Sequence, residues 1–298
     1  MAAPRDLLER LFPPLRIRSK LWTWMAIFAV YGALVGVIIT LEHLPRIEWG
    51  SESTVLNGLV LGFFIAFRNN SAYARWWEAR QLWGKLTNDS RNLCLKIRSL
   101  PELDATDRAE IGRLLIAFAW TLLNHLRLKQ NVDEPAKGTS SASTTHAPSR
   151  VAGELIGALG RFRAKGRIDG FSVLWLDNET RGLMDVCGAC ERIRNTPLPS
   201  SYRALLRHGI GIYLAIAPFY LMEDVGLAGF PMFLLAAYFL LGIELVAEEI
   251  EEPFGPGGDN LPLERYCATI ENSAREILGL PASSPPTIEY GPGKRSVS

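Results

Sequence analysis

Leu21 to Leu41 is a run of 21 residues without a charge, bounded by Lys20 and Glu42. A helix needs about 20 predominantly apolar residues to cross the hydrocarbon core of a bilayer. The run therefore predicts a membrane-spanning helix. Three further uncharged runs accompany it: Val225 to Ile243 with 19 residues, Ser53 to Phe67 with 15, and Gly209 to Met222 with 14. Taken alone, each of the two shorter runs fits the core of a soluble protein equally well. Each is joined to a longer run by a brief connector, however, and that arrangement predicts two helical hairpins. The four runs total 69 of 298 residues, and the polar remainder explains why mean hydropathy is only +0.09. Pro218 and Pro231 lie inside the third and fourth runs. A membrane helix tolerates proline where neighbouring groups satisfy the freed carbonyl, so bends or helix starts are expected there.

The charges between the runs give an orientation. Arg5, Arg10, Arg16, Arg18 and Lys20 precede the first run, and Arg68, Arg75, Arg80 and Lys85 follow the second. The connector from Glu42 to Glu52 sets only Arg46 against three glutamates, and the connector at Glu223 and Asp224 has no cation. An excess of Lys and Arg marks the cytoplasmic side, so both termini are expected there, in a multi-pass protein of the cell inner membrane or a plasma membrane. The whole chain balances 32 Lys and Arg against 31 Asp and Glu, which argues against a nucleic-acid binder. A hydrophobic fraction of 48% excludes wholesale disorder.

The rest of the sequence reads as helices on the cytoplasmic side. Arg68 to Ser99 continues from the second run without a proline, so one long helix is expected to leave the membrane and end before Pro101. Asp104 to Leu128 reads as a helix whose Leu114 to Leu123 stretch is too short to span and belongs in a bundle core. Asn131 to Arg150, rich in Ser, Thr, Ala and Pro, reads as a loop. Val151 to Phe162 and Val173 to Asn195 read as helices, and the proline-rich tail after Leu280 as extended. The expected organisation is a cytoplasmic segment over 1–20, a first transmembrane hairpin over 21–67, a cytoplasmic helical region over 68–208, a second hairpin over 209–243, and a cytoplasmic helix and tail over 244–298. No strand alternation or repeat is evident.

Residues four apart share a helix face. Leu59, Phe63 and Phe67 form a bulky apolar stripe on the second run, beside a small stripe of Gly58, Gly62 and Ala66. Small residues allow close helix approach. Copies packed through the small stripe would turn the bulky one toward a common axis, as a hydrophobic constriction. The alternative is a ridge facing lipid. Trp76, Trp77 and Trp83 suit either an interfacial anchor or a bundle core. Arg75 and Glu78 are spaced to pair. The glutamates at 244, 248, 249, 251 and 252 suit either a solvated helix face or a vestibule that attracts cations. Cys187-Gly188-Ala189-Cys190 lacks both a βαβ setting for redox work and a second pair for zinc. His43, His125, His146 and His208 are scattered without ligand spacing. No nucleophile elbow, P-loop or dinucleotide fingerprint appears, so neither enzyme, cofactor nor metal site is expected.

Three strings resemble the bestrophin family of ion channels in its bacterial branch: FRNNSAYARWWEARQLWG from Phe67, CERIRNTPLPSSY from Cys190 and EEIEEPFGPGGDNLPLE from Glu248. Their order and their placement around the spans also fit, over roughly Arg16 to Leu280. The resemblance implies an all-α membrane protein with four transmembrane helices per subunit, a cytoplasmic helical bundle and assembly as a homopentamer around one pore. It implies a pore neck of three apolar residues spaced four apart on the second span. Counted back from Arg75-Trp76-Trp77, these are Leu59, Phe63 and Phe67, the same bulky stripe. The resemblance also implies a second, cytoplasmic constriction, near Phe171. Calcium-gated animal members carry an acidic cluster after their Pro-Phe-Gly. Here Pro253-Phe254-Gly255 is followed by a single carboxylate, Asp259, where calcium takes six to eight oxygens. Family membership suggests chloride as the permeant ion, whereas the glutamate-rich stretch suggests cations. The expected function is passage of small monovalent ions. The competing class is a membrane-anchored signalling or scaffold protein whose cytoplasmic bundle is the working part.

Overall fold

In the computed structural model, residues 15–41, 51–128 and 146–281 are described, with side chains from Ile17 onward and, in the second helix, from Gly58. All regular structure among them is helical: α1 (Leu15–Thr40), α2 (Ser51–Ser99), α3 (Ala105–Leu128), α4 (Ala147–Ala164), α5 (Gly170–Asn195), α6 (Ser200–Val225), a 3₁₀ turn (Gly226–Ala228), α7 (Gly229–Ile250) and α8 (Leu263–Leu278). The chain divides into two compact units. One is Met1–Leu82 with Ala189–Pro262, and the other is Trp83–Gly188 with Leu263–Ser298.

The first unit holds α1, the N-terminal part of α2, the end of α5, α6 and α7. Two stretches in it are long and apolar enough to cross a membrane: Ile17–Thr40, and Ser200–Ile250, which contains both α6 and α7. Each reaches a mean hydropathy of 2.0 with only 11% and 28% of its window buried. A core helix of a soluble protein would be largely covered, so this much uncovered apolar surface calls for lipid or another copy. The first unit's core lies where Leu61 and Ile65 of α2 meet Leu206, Ile210, Leu214 and Ala217 of α6 and Phe233 and Ala237 of α7.

The α6–α7 connection differs in place from the sequence expectation. Glu223 and Asp224 are still helical, and α6 stops at Gly226, whose φ of 64° and ψ of −145° suit glycine almost alone. Pro231 is the third residue of α7, a position that needs no intrahelical N–H bond, whereas Pro218 sits inside α6. Gly229 is a contact glycine. A Cβ there would collide with the Leu221 carbonyl oxygen and lie 2.6 Å from its carbon, backbone atoms that cannot swing aside. Gly229→Ala is expected to lower stability by about 1–3 kcal/mol through this overpacking. Thermal unfolding of the detergent-solubilised protein checks it, with Gly188→Ala on α5, where a Cβ meets nothing within 4 Å, as the control that loses no stability.

In the second unit α3 packs against α4 and α8. Asp104 starts α3, its Oδ1 accepting the N–H groups of Thr106 and Asp107 at 2.9 Å each. Ile111, Leu115, Phe118, Leu122 and Leu126 then recur at helical spacing and are all fully buried. The uncharged Leu114–Leu123 stretch is therefore a bundle core, as its length required. The matching stripe on α8 is Leu263, Cys267, Ile270, Ala274 and Leu278. Helix α4 runs from Ala147 despite its three glycines, so the end of the expected loop at Ala147 to Arg150 is helical; residues 129–145 lie outside the described part. His146 caps it by accepting the Ser149 N–H at Nδ1, 3.0 Å. It ends at Gly166, φ 71°, with Arg167 N–H bonded to Phe162 O and Gly166 N–H to Arg163 O.

Candidate functional site

Residues two apart on a helix point nearly opposite ways, because each step turns about 100°. On α2, Leu61, Ile65, Arg68 and Ala72 face inward and are buried. Leu59, Phe63 and Phe67, offset by two from that set, are 67%, 60% and 51% exposed. The bulky stripe thus points away from the side of α2 that packs on α6 and α7. The Phe63 and Phe67 rings meet edge to face, centroids 4.5 Å apart. In the small stripe, Gly62 has nothing within 4 Å of where a Cβ would stand, and Gly58 approaches only the Tyr213 hydroxyl, at 4.0 Å. Val60 and Phe64 are also exposed, so this side of α2 is a continuous apolar band.

The rotation of α2 is fixed by the residue after Phe67. Arg68 is buried to 1% exposure and lies between two glutamates at the end of α7. Its Nε donates to Glu244 Oε2 at 3.1 Å and its Nη1 to Glu251 Oε2 at 2.8 Å. Glu244 also accepts from Arg207 Nε at 3.0 Å, and Arg203 stands 3.7 Å from Glu251. Glu248 lies 3.2 Å from Arg207 and 3.5 Å from Lys20. These glutamates are therefore neither a simple solvated face nor an uncompensated acidic vestibule. Glu244 and Glu251 are buried and neutralised by arginines, as buried carboxylates must be.

About two turns further on, Arg75 does not pair with Glu78. Its guanidinium donates to the backbone carbonyls of Ile193 (2.7 Å), Thr196 and Glu251 (3.2 Å), filling orphan acceptors at the ends of α5 and α7. Glu78 instead accepts from Arg192 at 2.8 Å. Trp76 Nε1–H donates to Asp259 O at 3.0 Å. The three strings singled out in the sequence thus meet at one place, joined by Arg75, Trp76 and Arg192. The loop after α7 closes tightly here. A Cβ on Gly255 would collide with the Asn260 side-chain amide, and one on Gly257 with the Glu249 carboxylate. Burial holds the Asp259 carboxyl above its ordinary range.

The three tryptophans divide. Trp83 is fully buried in the second unit beside Tyr266, Trp76 is half-buried, and Trp77 is exposed with the Arg80 guanidinium 5.2 Å from its ring centre. Phe171, at the start of α5, is 82% exposed, next to exposed Leu174 and Trp175. The Asp169 carboxylate caps that helix through the Ser172 N–H at 2.7 Å. All four cysteines are buried and none forms a disulfide. Burial raises the thiol pKa of Cys94 and of Cys267 to about 12, which makes both poor nucleophiles. His125 and His146, 21 positions apart in sequence, come together with ring centres 4.6 Å apart. His43 lies outside the residues whose side chains are described.

The sequence and fold can be set beside known proteins. The family model for bacterial and fungal bestrophin proteins matches residues 10–276. A voltage-dependent anion channel-forming protein of Ralstonia nicotianae is 32% identical over 259 residues, covering 84% of this chain and 85% of the relative. One of the same description from Mesorhizobium japonicum is 35% identical over 261 residues, covering 85% and 83%. Among solved structures, a bacterial bestrophin homologue from Klebsiella pneumoniae superposes with a TM-score of 0.77 at 25% identity, over 87% of this chain and 99% of that one. With the family match spanning both units and all three strings, the chain belongs to the bacterial and fungal bestrophin family.

Proposed function

We propose that this chain is one subunit of a homopentameric channel that passes small monovalent anions, chloride first among them, through a neck of Leu59, Phe63 and Phe67. The observation that carries the proposal is the outward stripe on α2: three bulky apolar side chains, more than half exposed, on the side of the helix away from the subunit's own packing. Five copies that meet through Gly58, Gly62 and Ala66 would enclose that stripe. The four spans fall in 21–67 and 209–243, with both termini on the cytoplasmic side of the cell membrane and a cytoplasmic helical region between the hairpins. Ions would lose part of their hydration at the neck and pass a second narrowing at Phe171, which is exposed enough to line a cavity.

Selectivity for anions is favoured over cations on two grounds. The relatives above are described as anion channel-forming. Three of the five glutamates that would have drawn cations, Glu244, Glu248 and Glu251, are held by Arg68, Arg203, Arg207 and Lys20. The test combines subunit counting and recording. Native mass measurement is expected to give five copies, and a planar bilayer under a KCl gradient is expected to reverse near the chloride equilibrium potential. Reversal near the potassium potential would overturn the anion assignment. A monomeric protein without flux would return the chain to the scaffold class.

A further inference from the structure

Beside the neck helix, in the same unit, α1, α6 and α7 leave a slot of about 470 Å³ that the channel function does not use. Its walls are apolar, built from Trp24 and Phe28 of α1, Leu214 of α6 and Leu241 of α7. Its mouth is charged, formed by Lys20, Arg207, Glu248 and Glu244, the last already paired with Arg68 and Arg207. The position of this mouth along the chain is informative. Lys20 is the last charge before the uncharged run of α1, and Glu244 and Glu248 are the first after the uncharged run of α7. The mouth therefore lies at headgroup depth, and the slot runs from there toward the hydrocarbon. This placement rests on the membrane-spanning reading of α1 and α7.

We infer that the slot is a binding site for a phospholipid with a zwitterionic, primary-amine headgroup, of the phosphatidylethanolamine class. Charge complementarity selects the occupant. Lys20 and Arg207 are half-exposed and offer N–H donors to a phosphate. Glu248, also partly exposed, offers an acceptor to an ammonium. Its contacts with these cations, 3.5 and 3.2 Å, are longer than the 2.7–2.9 Å usual for a charge-assisted hydrogen bond, which leaves Lys20 and Glu248 room to open around a ligand while Arg207 stays anchored on Glu244 at 3.0 Å. An anionic headgroup would satisfy the two cations and meet repulsion from Glu248. A quaternary ammonium would bring no N–H to that carboxylate. The apolar walls take an acyl chain, and the volume is in the range of sites that enclose small ligands.

Gly211 gives a direct way to close the slot. It lies in the lining, and a Cβ placed on it meets nothing within 4 Å, so a larger side chain would project into open space. The protein is purified from an equimolar mixture of phosphatidylethanolamine and phosphatidylglycerol with matched acyl chains, and the lipid retained per subunit is quantified by mass spectrometry. The wild-type protein is expected to retain the ethanolamine lipid in several-fold excess. Gly211→Leu is expected to lose most of it while helical content and elution volume stay unchanged. Glu248→Lys is expected to invert the preference toward phosphatidylglycerol. Equal retention of the two lipids by the wild-type protein, or full retention by Gly211→Leu, would overturn the inference. So would a Gly211→Leu protein that falls apart into smaller assemblies, which would mean that a second copy occupies the slot. Lipid retention is read without any measurement of flux, so a non-conducting protein that still retained the lipid would count against the channel alone.

Discussion

Arg68→Ala is expected to cost about 3–5 kcal/mol of stability, because it strands Glu244 and Glu251 as buried carboxylates without the cation between them. The penalty comes from the two charges left behind more than from the absence of the hydrogen bonds themselves. A double-mutant cycle separates these effects. If Arg68 and Glu251 act as a pair, Arg68→Ala/Glu251→Ala is expected to be less damaging than the sum of the single changes. Arg68→Lys is expected to fall between, since an ammonium cannot hold two carboxylates in the forked geometry that the guanidinium provides. Thermal midpoints of the purified detergent-solubilised variants are the measurement. A fully additive cycle would mean that Arg68 serves as packing and not as a clamp.

That clamp was invisible in the sequence, and the reason is physical. Arg68 and Glu244 are 176 positions apart, and nothing local marks them as partners. A usable signal was present nonetheless: Arg68 ends one uncharged run and Glu244 ends another, so two opposite charges close two apolar stretches that pack together. Local spacing misled at Arg75, where an i, i+3 relation with Glu78 suggested a pair. The true acceptors are main-chain carbonyls of α5 and α7, which side-chain patterns do not record. The helices over the uncharged runs were legible, because an apolar run of that length suits either a bilayer or a helical core. Their ends were less so. Helices α1 and α6 extend past the apolar residues into the flanking polar ones, Leu15 to Lys20 and Ser200 to His208, since backbone hydrogen bonding does not stop where apolarity does.

On α2 a stripe drawn from periodicity alone is also a side that the chain's own packing leaves uncovered. The fold therefore allows a sharp test of the proposed neck. Phe63→Ala and Phe67→Ala are each expected to raise ion flux in proteoliposomes on the order of tenfold, as expected if the missing ring lowers the dehydration barrier by about 1.4 kcal/mol. Neither change opens a cavity in the subunit core, because both rings are more than half exposed and their main mutual contact is one edge-to-face pair. Removing that pair costs about 0.5–1.5 kcal/mol, too little to unfold the subunit. Leu61→Ala and Ile65→Ala, one half-turn round the same helix, provide the opposite signature. They hollow out the packing against α6 and α7, so stability is expected to fall by about 2–5 kcal/mol while flux per folded channel stays near that of the wild-type protein. Unchanged flux in both phenylalanine variants would place the stripe against lipid. Higher flux in all four variants would mean that leakage follows loosened packing and not a widened neck.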